Sequence, residues 1–98
     1  MYARVSRVQI KPGALDSAEW KEGMERFREI TVAQKKEGGK GGYALVDRTA
    51  NMVMSISLWE SEAAMKASEA AHMERGKKRN PLRVGPGITE HYEIVVQV

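Results

Sequence analysis

Ser55, Ser57 and Trp59 stand at alternate positions of one apolar run, Met52 to Trp59, and His72 follows seven residues after Met65 in an alanine-rich run. Alternate residues of a strand share a face, and helical residues seven apart lie nearly one above the other. Two hydroxyls and an indole N–H can therefore converge on a ligand, and an imidazole can move a proton near neutral pH. Each residue also has a purely structural use. Trp59 at a strand end can anchor the core, and His72 can be a hydrogen-bonded packing residue. The Met65–His72 spacing turns both residues toward the sheet, above a small and mostly apolar cleft. Phe27 and Ile30 of an earlier helix close that cleft from the other side, with Ser68 between Met65 and His72. Ala64, Ser68 and Ala71 leave space that larger side chains would fill. Tyr43 and Tyr92 read as packing residues, and His91 has no assigned role.

Those residues need a scaffold, and the sequence supplies one. Tyr2 to Lys11 reads as a strand turned by Pro12-Gly13. A helix follows, with Asp16 and Glu19 as a capping box and Leu15 stapled against Trp20. Trp20, Met24, Phe27 and Ile30 form its apolar stripe, and it should end before Gly38-Gly39. Gly42 to Asp47 and Met52 to Trp59 are strands joined by the hairpin-length segment Arg48 to Asn51. A second helix starts at the candidate N-cap Ser61, with Glu60 and Glu62 placing negative charge at its start. Gly85-Pro86-Gly87 then releases the chain into a terminal strand, Ile88 to Val98.

The order β-α-β-β-α-β with right-handed crossovers predicts an α+β, ferredoxin-like domain. Its antiparallel four-stranded sheet takes the order 4-1-3-2, with both helices on one face. The other face should be polar in a monomer, yet Met52, Met54, Ile56 and Leu58 fall on it. Tyr92, Ile94, Val96 and Val98 add to the apolar count on the last strand. A homodimer packed sheet to sheet is the expected remedy, burying Met54, Ile56 and Val96 or their immediate neighbours.

The 98 residues carry one such pattern, with no internal repeat and no dividing linker, so a single domain over residues 1–98 is expected. With no cysteine, a disulfide framework and a thiolate metal site are excluded, and no metal or other cofactor is expected. No apolar run suggests export or membrane insertion, which makes the cytoplasm the default. The formal net charge of +3, with both signs interspersed, argues solubility more than a polyanionic partner. Lys77, Lys78, Arg79 and Arg83 cluster after the second helix, where cations complement the helix dipole.

The hairpin GGYALVDRTANMVMSISLWESEAA, with its alanine-rich helix and terminal strand, resembles the antibiotic biosynthesis monooxygenase family of the dimeric α/β-barrel superfamily. The resemblance spans the chain in element order, and its motif-like part is the Gly-Gly-Tyr entry, Val46-Asp47-Arg48 and Leu58-Trp59-Glu60-Ser61. It implies a dimeric α/β barrel and a cofactor-independent monooxygenase-like activity on a small aromatic or quinol-type molecule. The protein would hold a phenolic anion dry and oriented while that anion reduces dioxygen. By the same resemblance Trp59 and Ser55 orient the substrate, while strand parity and helical spacing offer His72 as the base and Ser57, Phe27, Ile30, Met65 and Ser68 as the lining. Well-known members carry Asn where this chain has Ser55, which offers one hydroxyl donor in place of an amide. Haem degraders of the superfamily carry an Asn on the first strand and a Trp in the second helix. This chain has neither, which makes haem the weaker reading.

A reading from another class is a non-catalytic ligand-binding or interaction module on the same scaffold. Nucleic acid is not expected as a partner. The RNA-recognition motif needs a basic residue before Gly42 and aromatics two and five residues after Tyr43, where this chain has Gly41, Leu45 and Arg48. The glycines 38, 39, 41 and 42 follow a helix and precede a strand, the reverse of a phosphate-binding loop.

Overall fold

A computed structural model of the chain describes residues 1–77 and 82–98, so Lys78 and Arg79 of the basic cluster lie outside the described residues. The elements are β1 (Tyr2–Ile10), α1 (Ala18–Gln34), β2 (Gly39–Asp47), β3 (Met52–Trp59), α2 (Glu62–Ala67), α3 (Glu69–Lys77) and β4 (Arg83–Glu93). The four strands form one antiparallel sheet in the order β2-β3-β1-β4, the expected ferredoxin-like topology read from its other edge.

Register decides which side chains meet the helices. Opposite β1, Ser57 pairs with Arg4, Ser55 with Ser6 and Val53 with Val8, while Thr89 and His91 of β4 flank Ser6 and Arg4. Leu15 and Trp20 from the start of the first helical arm pack, with Val8, on the buried cluster of Ile10, Ala14 and Val53. The second arm reaches Arg4 and Ser6 on the same parity. Both arms therefore cover one face. The opposite face carries Val5, Met54, Ile56 and Leu58 at its centre, with Tyr43, Leu45, Ile88 and Tyr92 exposed toward its edges.

Local chemistry explains the boundaries. Ser17, one residue later than expected, caps α1 by accepting the Trp20 N–H at 3.2 Å. Asp16 belongs instead to a short 3-10 turn, Ala14–Asp16. At the far end Gly38 takes a left-handed φ of 91°, which a glycine adopts freely, and α1 ends before it as expected. The Asp47 carboxylate accepts the N–H groups of Thr49 and Ala50, both at 3.0 Å, and so closes the β2–β3 hairpin. Ser61 caps α2, accepting the Ala64 N–H at 3.1 Å.

Further expectations change, and β2 starts at Gly39, three residues before the expected Gly42. The second helix is interrupted at Ser68, whose hydroxyl donates to the Met65 carbonyl at 2.7 Å, a local bond that competes with helical continuity. The last strand starts at Arg83 and ends at Glu93, where Ile88 to Val98 was expected. Gly85 to Gly87 fall in a register shift inside it, not before it. Ile94 makes one further bond, its N–H donating to the Met1 carbonyl at 2.8 Å, and β1 then offers no more partners. Val95, Val96 and Val98 are left exposed.

Candidate functional site

The centre of the helix-covered face is polar, and its anchor is Arg4 of β1, only 3% exposed. Its guanidinium donates to the Ser68 hydroxyl at 2.7 Å, pairs with Glu69 at 3.3 Å and lies 5.5 Å from the centre of the Trp59 ring. A buried charge requires such partners. The interruption at Ser68 presents both Ser68 and Glu69 to it. Burial lowers the proton affinity of Arg4, with Glu69 pulling the other way. For Glu69, burial raises the carboxyl, but the hydrogen bond and charge of His91 and of Arg4 outweigh it and hold it below its ordinary value. His91 lies 3.2 Å from Glu69.

One turn beyond Ser68 on α3, His72 extends over the sheet. Its Nε2 is 3.4 Å from the Ser6 hydroxyl and 3.5 Å from that of Thr89, and the two hydroxyls are 3.3 Å apart. Burial pushes the imidazole below its usual 6.5, and the Arg4 charge pushes it further. A neutral imidazole among hydroxyls can accept a proton, and the guanidinium behind it favours negative charge nearby.

Between the two helical arms runs a groove of about 530 Å³. Ile30, Ala33, Gln34 and Glu37 form one wall. Ala64, Ala67, Ser68, Ala71 and Arg75 form the other, so the small residues expected to leave space do border it. A second cavity of about 510 Å³ opens beside β1 and β4, lined by Tyr2, Met65, Glu69 and His91 among others.

The predicted site residues divide between these places. Ile30 and Ser68 share the groove wall, and His72 stands one turn past Ser68 at the sheet. Met65 is buried and borders the second cavity instead. Phe27 is half-buried one turn before Ile30 and is not on the groove wall. Ser55 and Ser57 lie on the helix-covered face of β3. Trp59 differs from the expected orienting role in its surroundings. It is fully enclosed, and its indole N–H donates to Ser57 at 2.9 Å, which spends the donor on the protein itself.

Arg4, Ser6, Thr89 and Glu69 were not foreseen. A signal existed for Arg4, the one charged residue among the inward-facing positions Tyr2, Arg4, Ser6, Val8 and Ile10. No group of three or more His, Asp or Glu able to hold a metal ion occurs among the described residues, and no helix among them is long and apolar enough to cross a membrane.

No family model and no curated protein matches the chain. Solved structures do. The heme degrader MhuD from Mycobacterium tuberculosis, with two hemes bound in its active site, aligns over 100% of this chain and 99% of its own, at 21% identity and a TM-score of 0.68. The monooxygenase ActVA-Orf6 of Streptomyces coelicolor, in complex with nanaomycin D, aligns over 99% of this chain and 89% of its own, at 14% identity and a TM-score of 0.73. SnoaB, a cofactor-independent oxygenase from Streptomyces nogalater, aligns over 99% and 95%, at 14% identity and a TM-score of 0.68. At these identities the likeness is one of fold.

Proposed function

We propose that this chain, which has the fold of the antibiotic biosynthesis monooxygenases, is a cofactor-independent oxygenase of that kind, acting as a homodimer on a small phenolic or quinol-type molecule. The observation that carries the reading is His72, half-buried with its proton affinity lowered, at the Ser6 and Thr89 hydroxyls with Arg4 behind it. A phenol placed there would give its proton to Nε2. Arg4 disfavours the imidazolium but favours the phenolate, and the two new charges then attract each other. Ser6 and Thr89 would orient the ring oxygen, and the groove bordered by Ile30 and Ser68 would take the ring. The phenolate passes electrons to dioxygen, and one phenol and one dioxygen become one quinone and one water. Support from the comparisons is that SnoaB is a cofactor-independent oxygenase and ActVA-Orf6 a monooxygenase on the same fold. MhuD degrades heme on it too, but this chain lacks the first-strand Asn and second-helix Trp of the haem degraders it resembles.

Oxygen uptake with 1,5-dihydroxynaphthalene tests the reading, with no metal or flavin added. One dioxygen should be consumed for each hydroxynaphthoquinone formed, and His72→Ala should lower kcat by about 100-fold with little change in affinity. Saturable binding without turnover would overturn the oxygenase reading and leave a ligand-binding module. The enclosed Trp59 indole, with its donor already spent, is the observation that favours this second reading.

A further inference from the structure

The groove between the helical arms is not uniformly apolar, since its lining carries one charge of each sign, Arg75 and Glu37. Arg75 is the one cation on its wall, is exposed, and has no ion pair or hydrogen bond among the described residues. Glu37 borders the same groove, yet no ion pair closes between them. Glu69, the acid beside Ser68 on the same helical arm, is already engaged by Arg4 and His91. Arg75 and Arg4 both act on His72, and only Glu69 acts against them. Among the described residues Arg75 is therefore an unpaired cation on a groove whose alanines and Ile30 offer apolar surface and whose other polar groups are Glu37, Gln34 and Ser68.

We propose that this groove takes an aromatic acid, its ring lying between the alanine wall and Ile30 and its carboxylate held by Arg75. A guanidinium matches a carboxylate with two parallel donors, which fixes the ring's orientation as well as its charge. The volume of about 530 Å³ suits a compound of two or three fused rings. The inference rests on the groove being the substrate site and narrows the substrate class to phenols that carry an acid group.

Calorimetric titration with 1-hydroxy-2-naphthoate and with its methyl ester separates charge from shape. The acid should bind about tenfold more tightly than the ester, and added salt should narrow the gap. Arg75→Gln should remove the preference and leave ester binding intact, while Arg75→Lys should keep part of it. Arg28→Gln, on the exposed side of α1, should change nothing. Equal binding of acid and ester, an acid preference that survives Arg75→Gln, or binding of neither compound would overturn the proposal. The oxygenase reading fails separately. Arg75-dependent binding of the acid without oxygen uptake would sink that reading alone, and oxygen uptake with no acid preference would sink this one alone.

Discussion

At the scale of single residues, Arg4 ties the molecule together. One guanidinium bonds Ser68, pairs with Glu69 and covers Trp59, joining β1 to the strand beside it and to the second helical arm. Its closest partner is 64 positions away in sequence. Such a contact leaves only a trace in the sequence, a charge at an inward strand position. The capping serine Ser61 was legible because its partner, the Ala64 N–H, is three residues away. Ser17 displaced Asp16 as the cap of α1 for an equally local reason, since its hydroxyl also bonds the Ala14 carbonyl at 2.6 Å. His72 gives the residue-scale prediction. Burial and Arg4 hold its folded-state pKa below 6.5, so on acidification the unfolded chain takes up this proton first. The His72 contribution is fully present above 6.5 and is lost as pH falls from there to the folded-state value. Urea midpoints measured between about pH 7.5 and about pH 5.5 should fall more steeply for the wild type than for His72→Gln. Arg4→Met should move the His72 imidazole titration, followed by NMR, toward higher pH. Identical slopes in wild type and His72→Gln would refute the assignment.

Among the elements, hairpin, strands and helices were readable wherever periodicity and a turn signal agreed, as in β2, β3 and α1. The misreadings lie where pairing geometry overrides composition. Ile88 to Val98 is uniformly strand-forming, but β4 stops at Glu93 because β1 begins opposite it. Gly85-Pro86-Gly87 looks like a break and is a bulge, since the strand regains its partner on the far side. The groove was foreseeable from its alanines and a core-anchor use of Trp59 from its place at a strand end, while the pairing of its indole N–H with Ser57 was not, because it depends on how two helices settle on one sheet. Gly42 supplies a test of the β2–β3 pairing. A Cβ there would lie 2.4 Å from the Ile56 carbonyl oxygen, backbone that cannot move without parting the strands. Gly42→Ala should cost about 1–3 kcal/mol in urea unfolding. Gly23→Ala, inside α1 where a Cβ meets only the Arg26 guanidinium at 3.9 Å, should stabilise by up to about 1 kcal/mol. Equal stability of the two variants would contradict the packing described.

For the whole molecule, sheet order and the sidedness of the helices followed from element order and crossover handedness alone. The consequence is one covered face and one open face. Ile56 and Met54 lie at the centre of the open one, with exposed Tyr43, Leu45, Ile88 and Tyr92 around them. The proposed homodimer should bury more than about 2,000 Å² there. In sedimentation at micromolar concentration the wild type should run as a dimer and Ile56→Glu as a monomer with retained helix and strand signals. A wild-type monomer of undiminished stability would end the proposal. The strand order also has a temporal side. β1 is the first strand synthesised, yet its neighbours β3 and β4 arrive some 50 and 80 residues later. The ribosome therefore releases a strand that must wait, with Arg4, Val8 and Ile10 uncovered, until long loops close around it. Folding should be paced by those closures. A nascent chain stalled after α3 would hold β1 with one edge unpaired, open to annealing with the same strand of a neighbouring polysome product.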